Sequence, residues 1–334
     1  MMLMKTKIAM AMAAATLAVS ASNAQAQVVC VFDLLGTSGD VYTMMKDYAL
    51  AANGWGAKVT LKPYTDERVA SEDFKAGQCD AVALTGMRGR QFNSFVGSID
   101  AIGAVPSNAA ARAVMQLVSK PQLATDMVQN GYEVAGVTPM GSAYLFVNDR
   151  SINTLAKAAG KKFAVLDYDK AQARMVQRVG AQPVSADITT FGGMFNNGQV
   201  DIVGAPAIAF KPLELHKGLG AKGAIAKFPI LQVTGNIIIR QNKFPAGFGQ
   251  KSREWVATQL PRALAMAEKT EKDIPAKYWM EIPANDQVGY IKLMREARIE
   301  LTKEGFYNTK MMSLLKRVRC QQNPSSFECA LKDE

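Results

Sequence analysis

The chain carries a single histidine, His216, within Leu213-Glu214-Leu215-His216-Lys217-Gly218. A Ser-His-Asp mechanism would have to use it, and no G-x-S-x-G turn exists to expose the serine; Gly36-Thr37-Ser38-Gly39 has the wrong spacing. Gly218-Leu219-Gly220-Ala221-Lys222-Gly223 fits G-x-G-x-x-G. It follows a predicted helix and precedes a strand, the reverse of the order that aims a helix N-terminus at a pyrophosphate, so it reads as a loop. Asp167 and Asp169 are two acids at a strand end, a common turn chemistry, and nothing around them selects a hydrolase. The four cysteines contain no C-x-x-C and lie far from His216, so a zinc-type site fails. The residues therefore predict a binding protein, without cofactor or metal, and not an enzyme.

Binding chemistry has better candidates. Thr85-Gly86-Met87-Arg88-Gly89-Arg90 follows a predicted strand, which puts Thr85, Arg88 and Arg90 at the rim of a cleft or in a solvated loop. Ser38 ends the first strand region before a helix, where its hydroxyl and the following N–H groups suit an anion or form an ordinary N-cap. Tyr144, Phe191, Phe195 and Phe210 are candidates for apolar walls, although each also fits a core. Pro206 closes a strand that ends in small residues. Asn236 interrupts an apolar strand beside Gly235, and a buried amide needs partners that a ligand can supply.

The elements that must position these residues alternate. Val28 to Leu34 reads as a buried strand, followed by a polar loop and a helix with Val41, Met44, Met45, Tyr48 and Ala52 on one face. A strand around Val59 and Leu61, a helix over 66–76 closed by Gly77, and a strand over 79–84 follow. The second half repeats the theme: a strand over 142–147, a helix over 152–159, a strand over 161–166, helices over 171–179 and 189–197 ended by Gly180 and Gly198, and a strand over 200–203. Phe74-Lys75-Ala76-Gly77-Gln78-Cys79-Asp80-Ala81-Val82 is echoed by Phe195-Asn196-Asn197-Gly198-Gln199-Val200-Asp201-Ile202-Val203 at an offset of 121 (198 minus 77). Both copies close a helix with glycine and start a buried strand. In open α/β sheets ligands gather at the carboxyl ends of strands, so both echoes point to one cleft. Beyond residue 250, Trp255, Leu260, Leu264 and Ala267, then Val288, Ile291, Leu293, Met294 and Leu301, then Met311, Met312, Leu314 and Leu315 fit three amphipathic helices, with the methionine pairs as core filler.

The N-terminus has Lys5 and Lys7, an apolar run over 8–19, and Ala24-Gln25-Ala26. This reads as a secretory signal peptide cut after Ala26, with a run shorter than the roughly 20 residues of a membrane span. Losing Lys5 and Lys7 takes the formal charge from +10 to +8. The basic residues are scattered among acids without an aromatic-interleaved stripe, which disfavours nucleic acid. Lys316, Arg317 and Arg319 are expected on an exposed helix face. In an exported chain, which enters an oxidising compartment, four cysteines favour two disulfides, of which Cys30–Cys79 and Cys320–Cys329 are the preferred pairing among three.

Gly160-Lys161-Lys162-Phe163-Ala164-Val165, Val179-Gly180-Ala181-Gln182-Pro183-Val184, Phe191 to Phe195, Gly198-Gln199-Val200-Asp201 and Gly204-Ala205-Pro206 together resemble the central region of the periplasmic substrate-binding proteins of TRAP (DctP-like) transporters. Those proteins carry a Gly-Leu-Lys-Ile-Arg-Val strand, a Gly-Ala-x-Pro-Val turn and a Gly-x-Val-Asp-Gly segment in this order. The resemblance implies an α/β, two-lobed periplasmic binding protein fold of type II-like kind, each lobe a mixed, mostly parallel sheet with flanking helices. Lobe 1 would span 27–140 and lobe 2 141–240, with helices over 241–334 bracing both. It also implies a monomer that closes on a small molecule and delivers it to membrane permease subunits. A strand arginine would hold the substrate carboxylate; here that position is Ala164, which makes a simple carboxylate ligand doubtful. The alternative is an exported accessory or adaptor protein of an envelope complex, efflux-related or otherwise, that reuses the binding fold.

Overall fold

The echoed segments lead into equivalent strands of one sheet. The computed structural model describes residues 26–334, so the leader expected over 1–26 falls outside the described residues up to position 25. The strands are β1 (Gln27–Phe32), β2 (Val59–Tyr64), β3 (Ala81–Thr85), β4 (Val128–Gln129), β5 (Tyr132–Val147), β6 (Lys162–Leu166), β7 (Gln182–Ala186), β8 (Ile202–Pro206), β9 (Ala224–Ala226), β10 (Leu231–Arg240) and β11 (Trp279–Met280). The main path across the sheet is β2-β1-β3-β10-β5-β8-β6-β7. Strand β1 is parallel to β2 and β3, and β6 is parallel to β7 and β8. The long β5 and β10 run antiparallel to each other, to β8 and to β3 respectively. From either edge the order is the same: second strand, first, third, then a long antiparallel strand shared with the other half.

Parallel neighbours need crossovers, and the helices supply them. Asp40–Asn53 and Glu67–Lys75 link β1, β2 and β3; Lys170–Arg178 and Phe191–Asn196 link β6, β7 and β8. The Asp66 carboxylate accepts from the N–H groups of Arg68 and Val69 and so starts the second of these. Gly77 and Gly198 end their helices at φ 79° and 68°, a left-handed conformation that disfavours any residue with a Cβ. Covered on both faces, Cys30 to Phe32 and Ala81 to Thr85 are buried throughout, as parallel strands require. Pro63 and Pro183 sit in β2 and β7, the two edges, where a missing N–H costs least.

Two expected elements differ in extent. The strand expected over 142–147 begins at Tyr132, and Gly136, Pro139 and Gly141 hide its first ten residues by breaking the alternation in sequence. A Cβ at Gly136 would lie 2.8 Å from a methyl of Val256, so this glycine lets the helix Phe248–Lys272 lie close along β5. The helix expected over 152–159 is only Leu155–Ala158, since the Thr154 side chain accepts from the Lys157 N–H and sets its start.

Both expected disulfides are present, Cys30–Cys79 with Cα atoms 5.9 Å apart and Cys320–Cys329 at 5.6 Å. The helices Ala284–Lys303 and Thr309–Gln322 bury Met294, Leu301, Met311, Met312, Leu314 and Leu315. Val288 and Ile291, expected on the buried face, are exposed instead. The basic run is also corrected: Arg317 is exposed, but Lys316 and Arg319 are buried. The segment after the second disulfide folds back, so Glu328 and Glu334 neutralise both Arg319 and Arg298. Lys316 Nζ donates to the Leu331 carbonyl.

Candidate functional site

A cavity of about 350 Å³ lies where the carboxyl ends of β1, β3, β6 and β8 meet. Its wall takes Leu34 and Leu35 after β1, Thr85 and Met87 after β3, Leu166 at the end of β6, and Ile208 after β8. The starts of β10 and the middle of β5 form the floor through Leu231, Val233, Met140 and Ala143, and the helix Phe248–Lys272 contributes Met266 and Thr270. Strand alternation decides which side chains arrive. Ala143 lines the cavity; Tyr144, one residue on, packs edge-on against Trp279 with ring centroids 5.0 Å apart.

Of the residues singled out in the sequence, Thr85, Phe191 and Pro206 are brought together in this wall. Ala164 is there as well, so the strand position at which an arginine was implied does face the cavity, as a methyl group. Asn236 borders an adjoining cavity of about 80 Å³ that shares Phe32, Met140 and Met266 with the first. Its side chain is buried, and its Oδ1 has no hydrogen-bond partner among the described residues. Phe195 and Phe210 are buried in the core, the latter stacked on Phe146.

Ser38, Arg88, Arg90 and Tyr144 lie elsewhere. Ser38 is exposed, and the helix behind it starts from Gly39 with no side-chain cap. The anion position at that helix N-terminus belongs to Asp33, which is buried and accepts from the N–H groups of Leu35 at 2.9 Å and Tyr42 at 3.1 Å. A Cβ at Gly39 would stand 1.9 Å from Asp33 Oδ1, so glycine is required for this close approach.

Arg88 and Arg90 are not at an open rim; they join the two halves of the sheet beside the cavity. Arg88 Nε donates to Glu67 Oε2 at 3.1 Å, and its guanidinium lies 3.7 Å over the Tyr168 ring. The Tyr168 hydroxyl in turn donates to Glu67 Oε2 at 3.4 Å. Glu67 also accepts from the Thr85 N–H at 2.6 Å, which ties this cluster to the cavity wall. Burial pushes the Glu67 carboxyl up, against the lowering effect of Thr85 and Arg88. Arg90 Nη1 donates to Asp169 Oδ1 at 3.2 Å, while Asp169 also caps the helix Lys170–Arg178 through the N–H groups of Ala171 and Gln172. The turn reading of Asp169 therefore holds, with an ion pair added.

Sequence reading missed most of the wall: Leu34, Met87, Met140, Ile188, Ile208 and Met266. The usable signal was position, the one to three residues beyond each parallel strand, and not residue type. His216 is exposed at the start of a short helix, and no group of three or more His, Cys, Asp or Glu among the described residues is placed to hold a metal ion. Gly218 and Leu219, expected in a loop, are the end of that helix, and only Gly220 to Gly223 form the connection into β9.

A cavity shared by two α/β halves, at the ends of four parallel strands, is the architecture of a two-lobed solute-binding protein. The chain belongs to the family of solute-binding protein AdeT 1/2, whose model matches residues 49–334. It is 58% identical over 304 residues to the probable solute-binding protein AdeT1 of Acinetobacter baumannii, covering 91% of this chain and all of that protein. Its fold is similar to that of a TRAP periplasmic solute binding protein from Desulfovibrio salexigens with bound orotic acid, at a TM-score of 0.73 and 15% identity, covering 88% of this chain and 98% of that one. A TRAP periplasmic solute binding protein from Shewanella oneidensis with bound succinate is similar at a TM-score of 0.69 and 13% identity, with the same coverage.

Proposed function

We propose that this protein captures a small molecule in the 350 Å³ cavity and presents it to membrane permease subunits. It would act in the periplasm, as a monomer without catalytic activity, after removal of residues 1–26. Lobe 1 over 27–140 and lobe 2 over 141–240 would close on the solute by flexing where β5 and β10 pass between the halves, braced by 241–334. Thr85, Phe191 and Pro206 would touch the solute, Asn236 would border its adjoining end, and Arg88 and Arg90 would hold the closed arrangement.

The observation that carries this reading is the convergence of four strand ends from both halves on one cavity of ligand size. An adaptor that used only its surface would leave that cavity without a purpose. Thermal denaturation against a panel of acids, amino acids, sugars and aromatics tests the proposal. A captured solute at 100 times its Kd should stabilise the fold by about 2.7 kcal/mol. A flat response across the panel would overturn it.

A further inference from the structure

The charges around the cavity narrow the class of solute, on the reading that this cavity is the solute site. We propose that the solute is an apolar molecule with no carboxylate or other anionic group, bearing at most a neutral hydrogen-bonding function. Leu34, Ile188, Phe191, Ile208, Ile230 and Met266 make the wall continuous with Ala164 and Ala143. Among the described residues the only cations in the wall are Lys211 and Lys269, and both ammonium groups lie 3.1 Å from the same oxygen, Asp273 Oδ2. Both lysine side chains are also mostly exposed, so they stand at the mouth and not over the interior. The wall also includes Asp33 and Asp40. Three acids against two lysines leave the wall with a formal charge of −1.

An anion entering this space would give up water without gaining an unpaired cation, and would meet Asp33 on arrival. Neutral polar contacts are few. Thr85 Oγ1 already accepts from the Arg88 N–H, and Gln172 Oε1 from the Leu166 N–H. Gln172 Nε2 remains as a donor, which suits a carbonyl, ether or hydroxyl oxygen on an otherwise apolar body.

The test uses the purified exported protein, the neutral fluorophore N-phenyl-1-naphthylamine as the apolar probe, and succinate and orotate as the anionic arm. The probe should bind saturably at one site, with a negative heat-capacity change in calorimetry. Neither acid should displace it or raise Tm at millimolar concentration. Ile208→Lys, which sets an ammonium in a partly exposed part of the wall, should weaken the probe by about tenfold or more while melting cooperatively. Phe191→Ala provides a second, uncharged change in the same wall, and should weaken the probe should the lysine variant not fold. Stabilisation by succinate or orotate without probe binding would overturn the proposal and leave solute capture standing. Probe binding unchanged in folded wall variants would place the probe elsewhere and also overturn it. A failure of probe, acids and the wider panel together would overturn both.

Discussion

Asp100 is a buried carboxylate whose only hydrogen-bond donors among the described residues are the N–H and hydroxyl of Thr234, at 3.2 Å and 2.7 Å. Burial raises its pKa from the ordinary 3.8 to about 7, a shift that Thr234 and the Arg90 guanidinium reduce but do not cancel. The folded state thus holds a proton that the unfolded state has released between about pH 4 and pH 7. The stability tied to that proton is complete below about pH 4, falls as pH rises through 7, and is flat above. We expect Tm of the wild type to fall between pH 4 and 7 relative to Asp100→Asn, by an amount worth on the order of a few kcal/mol. Parallel melting curves with pH would contradict this. At the same scale, Asn236 was legible because an amide inside an apolar strand is costly unless something meets it, whereas Asp100 was not, since its burial depends on Thr234 across 134 positions.

At the scale of elements, the repeated strand, helix and glycine pattern was readable because each unit is local: a cap, an apolar stripe and a left-handed terminus. Strand β5 was not, because its first ten residues carry glycines whose reason is the distant helix Phe248–Lys272. Nor could spacing reveal that the loop after β6 carries Tyr168 and Asp169 to Arg88 and Arg90. Removing one member of a buried ion pair strands the other, at a cost of roughly 3 to 5 kcal/mol. Arg90→Ala should lower stability by that order, and Arg90→Ala combined with Asp169→Asn should recover part of it in a double-mutant cycle. Additive losses would show that the pair is not coupled. The Cys320–Cys329 bridge closes a loop over a separation of 9 residues, for which chain entropy alone gives about 2.5 kcal/mol. Cys320→Ser with Cys329→Ser should therefore lower the denaturant midpoint, and loosen the Glu328 and Glu334 contacts that neutralise Arg298 and Arg319, visible as faster amide exchange over 320–334.

Across the whole molecule, two halves with the same strand order meet on two shared strands, and the cavity draws residues from Phe32 to Asp273. That span explains why the fold was more legible than the site. The fold follows from patterns within about 15 residues, while the wall consists of ordinary leucine, isoleucine and methionine selected only by where strands end. A solute seated in this cavity would touch both halves at once. Amide hydrogen exchange, measured with and without the solute that gives the largest thermal shift, tests this directly. We expect joint protection of 33–41 and 85–88 from one half and of 166–172, 188–191 and 206–213 from the other. Protection confined to one half, or absent from all these segments, would contradict it.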